Sequence, residues 1–431
     1  MWKTLTRKMK DSGIEWIGEI PEDWEINKLK NFFSFSKGKN AAKYTKEYVN
    51  EKGKYPVYSG QTLNEGILGY VDQYEYDIDE CLFTTTVGAK VMTLNILKGK
   101  FTLSQNCLIM NKKKDLNINF FYFLIQGLFD YEKSRIPSFM QPSLRIEDLN
   151  SYKIILPSNK EQNLVVNLLE KKANKIDNII YNTQQSIEEL KKYKQSLITE
   201  AVTKGLDPNV EMKDSGIEWI GKIPKHWSIN RIKNKFTLNK GLTITKSDLK
   251  DKGIPVINYG EIHSKYGFRF DTKIHTVKNV DEEYLIKNEN SLIEKGDFIF
   301  ADTSEDLDGS GNFTCYIGDA QCFAGSHTVV LKPRKNINHL YYSYLFESLA
   351  FRAQIQKKVQ GIKVFSITQG ILKPLTLIIP TEHEQQQIVS YLDEQTSRID
   401  KLIADKTKVI EELESYKKSL IYEYVTGKKE V

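Results

Sequence analysis

Met9-Lys-Asp-Ser-Gly-Ile-Glu-Trp-Ile-Gly18 recurs letter for letter at Met212-Lys-Asp-Ser-Gly-Ile-Glu-Trp-Ile-Gly221. The Ile20-Pro21 and Trp24 that follow it recur as Ile223-Pro224 and Trp227. Chance does not supply a ten-residue identity, so the chain is a long tandem duplication. A second element repeats with it: Leu156-Pro157 and Glu161-Gln162 return as Ile379-Pro380 and Glu384-Gln385. Its core, Ile187-Glu-Glu-Leu190 with Tyr193-Lys194 and Ser196-Leu-Ile198, is matched by Ile410-Glu-Glu-Leu413 with Tyr416-Lys417 and Ser419-Leu-Ile421. Between these elements lie Asn31 to Tyr152 and Phe236 to Thr376, which agree only at scattered positions. The order is head, rod, head, rod. The shared parts read as a common scaffold and the divergent parts as two readers of different targets, with drift after duplication as the plainer alternative.

The rods carry helical periodicity. Leu169, Ala173, Ile176, Ile180, Ile187, Leu190, Leu197 and Ala201 follow a 4-3 spacing in which Thr183 and Lys194 fill the remaining seam positions. The second copy gives Leu392, Ile399, Ile403, Ile410, Leu413, Leu420 and Tyr424, with Thr396, Lys406 and Lys417 as polar gaps. Pro157 and Pro380 stand just ahead of each helix, and Glu161 and Glu384 near its positive end. About 40 helical residues make a rod of roughly 60 Å, longer than a packed domain needs. An apolar face sustained this far needs a helical partner, and the simplest partner for each rod is the other, antiparallel.

Short runs rich in Tyr, Phe, Thr, Ile and Val mark strands in both heads, as in Tyr55-Pro-Val-Tyr-Ser-Gly60, Ile67 to Val71 and Ile254-Pro-Val-Ile-Asn-Tyr-Gly260. A short helix is expected near Phe120 to Phe129 and another near Leu340 to Gln356. The fold class is therefore α+β: two α/β heads separated by two long antiparallel coiled-coil helices, an internal repeat with pseudo-two-fold symmetry.

Basic and aromatic residues interleave in the heads. Lys37, Lys39 and Lys43 in the first, and Lys240, Lys265 and Arg269 in the second, are candidates to hold phosphates, although lysine is also the ordinary residue of a solvated loop. Two loops at similar depth, Leu103-Ser104-Gln105-Asn106 and Ala324-Gly-Ser326-His327, each precede an apolar strand. Gln and Asn amides can meet adenine edges, and Ser or His can reach base edges or phosphates. Upstream stand Thr84, Thr85 and Lys90 in one head and Asp302, Thr303 and Ser304 in the other. The alternative for each hydroxyl or amide is a turn or strand-end cap.

The 431 residues carry 62 Lys plus Arg against 56 Asp plus Glu, a net +6 that permits a polyanion partner without requiring one. Cys81, Cys107, Cys315 and Cys322 form no CxxC pair, which points to a reducing compartment and no structural zinc. No apolar run approaches the roughly 20 residues of a membrane span, and Met1 to Lys10 lacks the apolar region of a signal peptide. A GxxxxGK[ST] phosphate loop and an HExxH pair are absent from the sequence, and the acidic loop of Asp306, Asp308, Gly309 and Gly311 lacks calcium-hand spacing. The expectation is a non-catalytic cytoplasmic protein.

The phrase Asp-Ser-Gly-Ile-Glu-Trp-Ile-Gly-x-Ile-Pro-x-x-Trp at the start of both halves, and Pro-x-x-x-Glu-Gln at the start of both rods, resemble the specificity subunits of Type I restriction-modification systems over nearly the whole chain. The resemblance implies a target-recognition domain at 1–155, a helical spacer at 156–206, a second recognition domain at 207–378 and a second spacer at 379–431. It implies double-stranded DNA as ligand, with each head reading one part of a split, asymmetric site and the rods setting the gap. It also implies two methyltransferase subunits as partners, with or without two motor-nuclease subunits. S-adenosylmethionine, ATP and Mg belong to those partners, and this chain itself has no cofactor. A stand-alone DNA-binding repressor or anti-restriction protein, and a coiled-coil adaptor, are the alternatives.

Overall fold

The computed structural model describes residues 7–60, 66–88, 90–137, 139–359 and 364–431. The chain forms two compact units, one running to Gln184 and completed by Lys408–Val431, the other spanning Gln185–Thr407. Each unit thus takes one head and half of each long helix.

The rods are continuous helices, Asn159–Lys204 with 46 residues and Glu382–Val425 with 44. Neither contains Gly or Pro. Every seam position of the heptad pattern is buried or half-buried, from Leu169 to Ala201 in the first helix and from Leu392 to Tyr424 in the second. In the first unit Lys172 reaches the Tyr424 hydroxyl at 3.2 Å and Lys417 reaches Asp177 at 2.7 Å, so the helices run antiparallel. In the second unit the Lys194 ammonium meets Asp400 at 2.7 Å. Two of the three lysines that interrupt the apolar seam, Lys194 and Lys417, are therefore neutralised by aspartates of the facing helix.

The Pro-x-x-x-Glu-Gln phrase builds each helix start. Gln162 and Gln385 donate from Nε2 to the carbonyls of Pro157 and Pro380, both at 3.0 Å, five residues back. The Ser158 and Thr381 hydroxyls accept from the backbone N–H of Glu161 and Glu384 at 3.3 Å, and each carboxylate returns to its capping residue's hydroxyl. Glu384 also receives the Trp227 indole N–H and pairs with the His226 ring, both at 2.9 Å, whereas Glu161 is held by Arg7.

The ten-residue repeat is a turn that docks the head. Asp11 and Asp214 accept from the N–H of Gly13 and Gly216 at 2.9 Å, while Ser12 and Ser215 accept from Ile14 and Ile217 at 3.2 Å. Its partner is the end of a rod. Gly427, at φ +70°, lies so close to Pro21 and Trp24 that a Cβ would stand 2.6 Å from the proline ring, and Gly205, at φ +78°, faces Trp227 less tightly, with a Cβ 3.2 Å from the indole. A side chain there meets both a steric and a conformational penalty.

In the first head a six-stranded sheet runs Phe33–Lys37, Cys107–Lys112, Tyr76–Thr85, Leu94–Leu103, Tyr55–Tyr58, Ile67–Val71 in spatial order, antiparallel except where Tyr55–Tyr58 joins Leu94–Leu103. Helix Ile118–Ser134 packs on it. The second head has a five-stranded sheet, Phe236–Lys240, Thr328–Pro333, Phe298–Ala301, Phe313–Tyr316, Arg269–Phe270, and a four-stranded one, Lys278–Val280, Ile254–Ile257, Cys322–Ala324, Leu292–Ile293. The helix expected near Leu340 to Gln356 is two, His339–Glu347 and Leu349–Gln356, because Ser348 caps the second by accepting from the Phe351 N–H. The expected strand chemistry at Tyr259-Gly260 gives way to a helical turn, Tyr259–Ser264, since Glu261 takes the Asn258 N–H at 3.0 Å in a capping box.

Both long helices close each head's core. Val165, Val166 and Leu169 join Leu420, Ile421 and Val425 under the first, and Ile198 and Val202 join Ile388, Val389 and Leu392 under the second. Burying several such side chains stabilises each junction by roughly 1.5–3 kcal/mol apiece. No helix among the described residues is long and apolar enough to cross a membrane.

Candidate nucleic-acid interface

The two heads share few residues but build one tip. In the first, the turn Ser104-Gln105-Asn106 joins Leu94–Leu103 to Cys107–Lys112. Its Ser104 N–H donates to the Tyr58 carbonyl at 2.9 Å, and the Asn106 carbonyl accepts from the Thr86 N–H at 2.8 Å. The Thr86 carbonyl in turn accepts from Leu144 at 2.8 Å. In the second head, Gly325 donates to Ile257 at 2.7 Å, Asp302 donates to the His327 carbonyl at 3.0 Å, and Ile367 donates to Asp302 at 2.7 Å. The networks correspond bond for bond.

A Lys-Gly pair closes each tip from the edge strand. Lys37 stands opposite Leu108 and Lys240 opposite Val329, in each case two residues beyond Asn106 or His327. A Cβ on Gly38 would stand 2.5 Å from the Leu103 carbonyl oxygen, and one on Gly241 2.1 Å from that of Gly325. Only glycine lets the strand pass this close.

The tips gather some sequence candidates and set others aside. Lys37, Lys90, Gln105 and Asn106 are exposed at or beside the first tip, and Lys240 and His327 at the second. Thr84, Thr85 and Ser104 also lie there but are buried, and the Thr85 hydroxyl bonds the Lys90 carbonyl. Thr303 donates to the Asp302 carboxylate at 2.7 Å, and buried Ser304 donates to the Asp306 carbonyl at 2.8 Å. Ser326 accepts from the Ile244 N–H at 3.1 Å and donates to its carbonyl. These hydroxyls hold the tip together.

Away from the tips, Lys39 donates to the Glu75 carbonyl at 3.2 Å and Lys43 lies 4.8 Å over the Tyr48 ring. Lys265 pairs with Glu261 at 3.8 Å on its own helical turn. Arg269 donates to Asp393 of the second long helix at 2.8 Å and lies over the Phe268 and Tyr344 rings, so it fastens head to helix. Burial pushes the Cys81, Cys107 and Cys315 thiols up to about 12, which suits core residues and not nucleophiles.

The second tip borders a cleft of about 580 Å³ whose walls include Lys240, Asp302, Ser326, His327 and Gln369. An exposed lysine beside an exposed amide or imidazole can bond a phosphate and a base edge together. Sequence reading did not single out Gly38, Gly241 or the segments that bring Leu144 and Ile367 to the tips. The aligned phrases Phe33-Ser-Phe-Ser-Lys-Gly38 and Phe236-Thr-Leu-Asn-Lys-Gly241 carry the signal that finds the first two.

A duplicated scaffold of paired helices carrying two unlike heads with equivalent polar tips defines a two-headed recognition protein. The family described as the Type I restriction modification DNA specificity domain matches twice, over residues 21–192 and 224–412, and the chain belongs to that family. It is 25% identical over 418 residues to the Type I restriction enzyme MjaVIII specificity subunit of Methanocaldococcus jannaschii, covering 95% of this chain and 93% of that one. The putative MjaX specificity subunit of the same organism is 25% identical over 444 residues, with 96% and 95% covered. Among solved structures, a chain from work on complex assembly and conformational transition of the type I R-M system shares the fold at a TM-score of 0.67 and 13% identity, covering 94% of this chain and 98% of that one.

Proposed function

We propose that this specificity subunit reads a split, asymmetric site in double-stranded DNA, one part with each head, and directs partner subunits to it. The observation that carries the reading is the pair of tips: one hydrogen-bonded frame, repeated on one scaffold, presents Gln105 and Asn106 in one head and His327 in the other. A frame kept constant while its exposed side chains change is what two readers of different sequences require. Lys37, Lys90 and Lys240 flank those side chains and supply phosphate contacts.

Adenine methylation with S-adenosylmethionine falls to two methyltransferase subunits, and ATP- and Mg-dependent translocation and cleavage to two motor-nuclease subunits where these are present. The chain itself performs no chemistry and works in the cytoplasm. Sequencing methylated adenines in cells that express the chain with its cognate methyltransferase tests this reading. A two-part motif that vanishes when the chain is removed supports it. Methylation that persists unchanged without the chain overturns it.

A further inference from the structure

Asn106 and His327 have left-handed backbones, at φ +62° and +56°. Among the described residues only Met92 joins them as a non-glycine with positive φ. Glycine takes this conformation at lower cost, and Asn and His are among the other types that adopt it most readily, so both turns carry a side chain at the same left-handed point. Corresponding hydrogen bonds fix both residues: each carbonyl accepts from the strand end opposite, Thr86 or Asp302, and a Lys-Gly pair flanks each. The left-handed backbone and the fixed carbonyl together aim one exposed side chain outward from the same point of each frame.

The preceding residue does not compete for this role in the second head, because the Ser326 hydroxyl is tied to Ile244 on both its donor and acceptor sides. His327 is held from two directions. Its Nδ1 stands 3.3 Å from the Asp302 carboxylate, and its ring lies edge-on to Tyr259 with centroids 5.2 Å apart. In the neutral ring, a proton on Nδ1 facing Asp302 leaves the Nε2 lone pair to accept a hydrogen bond from an exocyclic base amine. The Asn106 amide offers a donor and an acceptor on one edge, the pattern that matches N7 and N6 of adenine.

We infer that Asn106 and His327 are the equivalent specificity-determining residues of the two heads, each fixing one base pair of its own half-site. This rests on the DNA-reading function proposed above. The decisive variants are Asn106→Gly and His327→Gly in the full chain, expressed with its methyltransferase, because glycine suits the backbone angle and removes only the side chain. Sequencing of methylated adenines reads both half-sites from the same molecules, so each unaltered head is the control for folding. His327→Gly relaxes the base preference at one position of one half-site by about tenfold or more and leaves the other half-site as it was. Asn106→Gly does the same in the opposite half. The exchange variants His327→Asn and Asn106→His move the preference at those same positions to a different base. Glycine variants that methylate with unchanged preference at every position overturn the inference, as does a variant that relaxes both half-sites at once. Absence of any two-part site for the unaltered chain overturns the underlying reading instead.

Discussion

Lys417 donates to both carboxylate oxygens of Asp177, 240 residues earlier in the chain, at 2.7 and 2.6 Å. The same pairing, with the helices exchanged, joins Lys194 to Asp400. A lysine at a seam position costs apolar burial, and these aspartates make that cost depend on antiparallel register. Asp177 is about half exposed, so the pair is worth at most about 1 kcal/mol. Lys417→Asp lowers stability by a comparable amount through like-charge contact, and adding Asp177→Lys restores most of it. Urea denaturation of the two single variants and the double variant reads this as a coupling energy. A double variant no more stable than the sum of the singles contradicts the assignment.

Glu384 gives a pH signature. Burial opposes its ionisation, but hydrogen bonds from Trp227, Thr381 and His226 outweigh that and hold its carboxyl down at about 2. A folded-state value below the ordinary ~4.3 contributes stability that is complete above ~4.3 and is lost as pH falls toward 2. Glu384→Gln therefore destabilises by about 1–2 kcal/mol at pH 7, where the charged acceptor is lost while the amide oxygen still serves the cap. The deficit does not shrink between pH ~8 and ~5 and narrows below pH ~4.3. Denaturation curves across that range show it, and a deficit already shrinking above pH 5 counts against this account.

The segment that follows the second rod lies against the first copy of the repeat. Lys428 donates to the Glu19 carbonyl at 2.6 Å, and the Tyr422 hydroxyl approaches the Ile17 carbonyl at 3.4 Å. The equivalent junction after the first rod is a continuous chain through Asp207 to Met212. A permutant with a short linker joining the termini and new ends opened near Asp207 folds cooperatively and keeps the full helix signal by circular dichroism. Failure of that permutant to fold, beside an unpermuted control that does, contradicts the equivalence of the two junctions.

The duplication, the rods and the seam were legible because they are written as identity and as local 4-3 spacing. The partners of Lys194 and Lys417 were not, since Asp177 and Asp400 lie off the apolar pattern and meet the lysines only once the antiparallel register is known. Strand order in the heads was equally hidden: the parallel pairing of Tyr55–Tyr58 with Leu94–Leu103 joins distant segments that no local pattern links. At the tips, side-chain chemistry identified Asn106 and His327 as candidates but could not separate them from Ser326 or Thr85, whose hydroxyls turn out to serve the backbone. Arg269 reads as a phosphate ligand by type, yet its partner Asp393 is 124 residues away.

The central claim is that two independent heads on one scaffold each read half of a DNA site. Its most direct test replaces Asn31 to Tyr152 with the corresponding region of another family member, leaving both long helices and the second head intact. Methylated adenines are then sequenced in cells that also express the methyltransferase. The account predicts a new motif in one half of the site and the original motif in the other. An active chimaera that alters both halves, or neither, contradicts it.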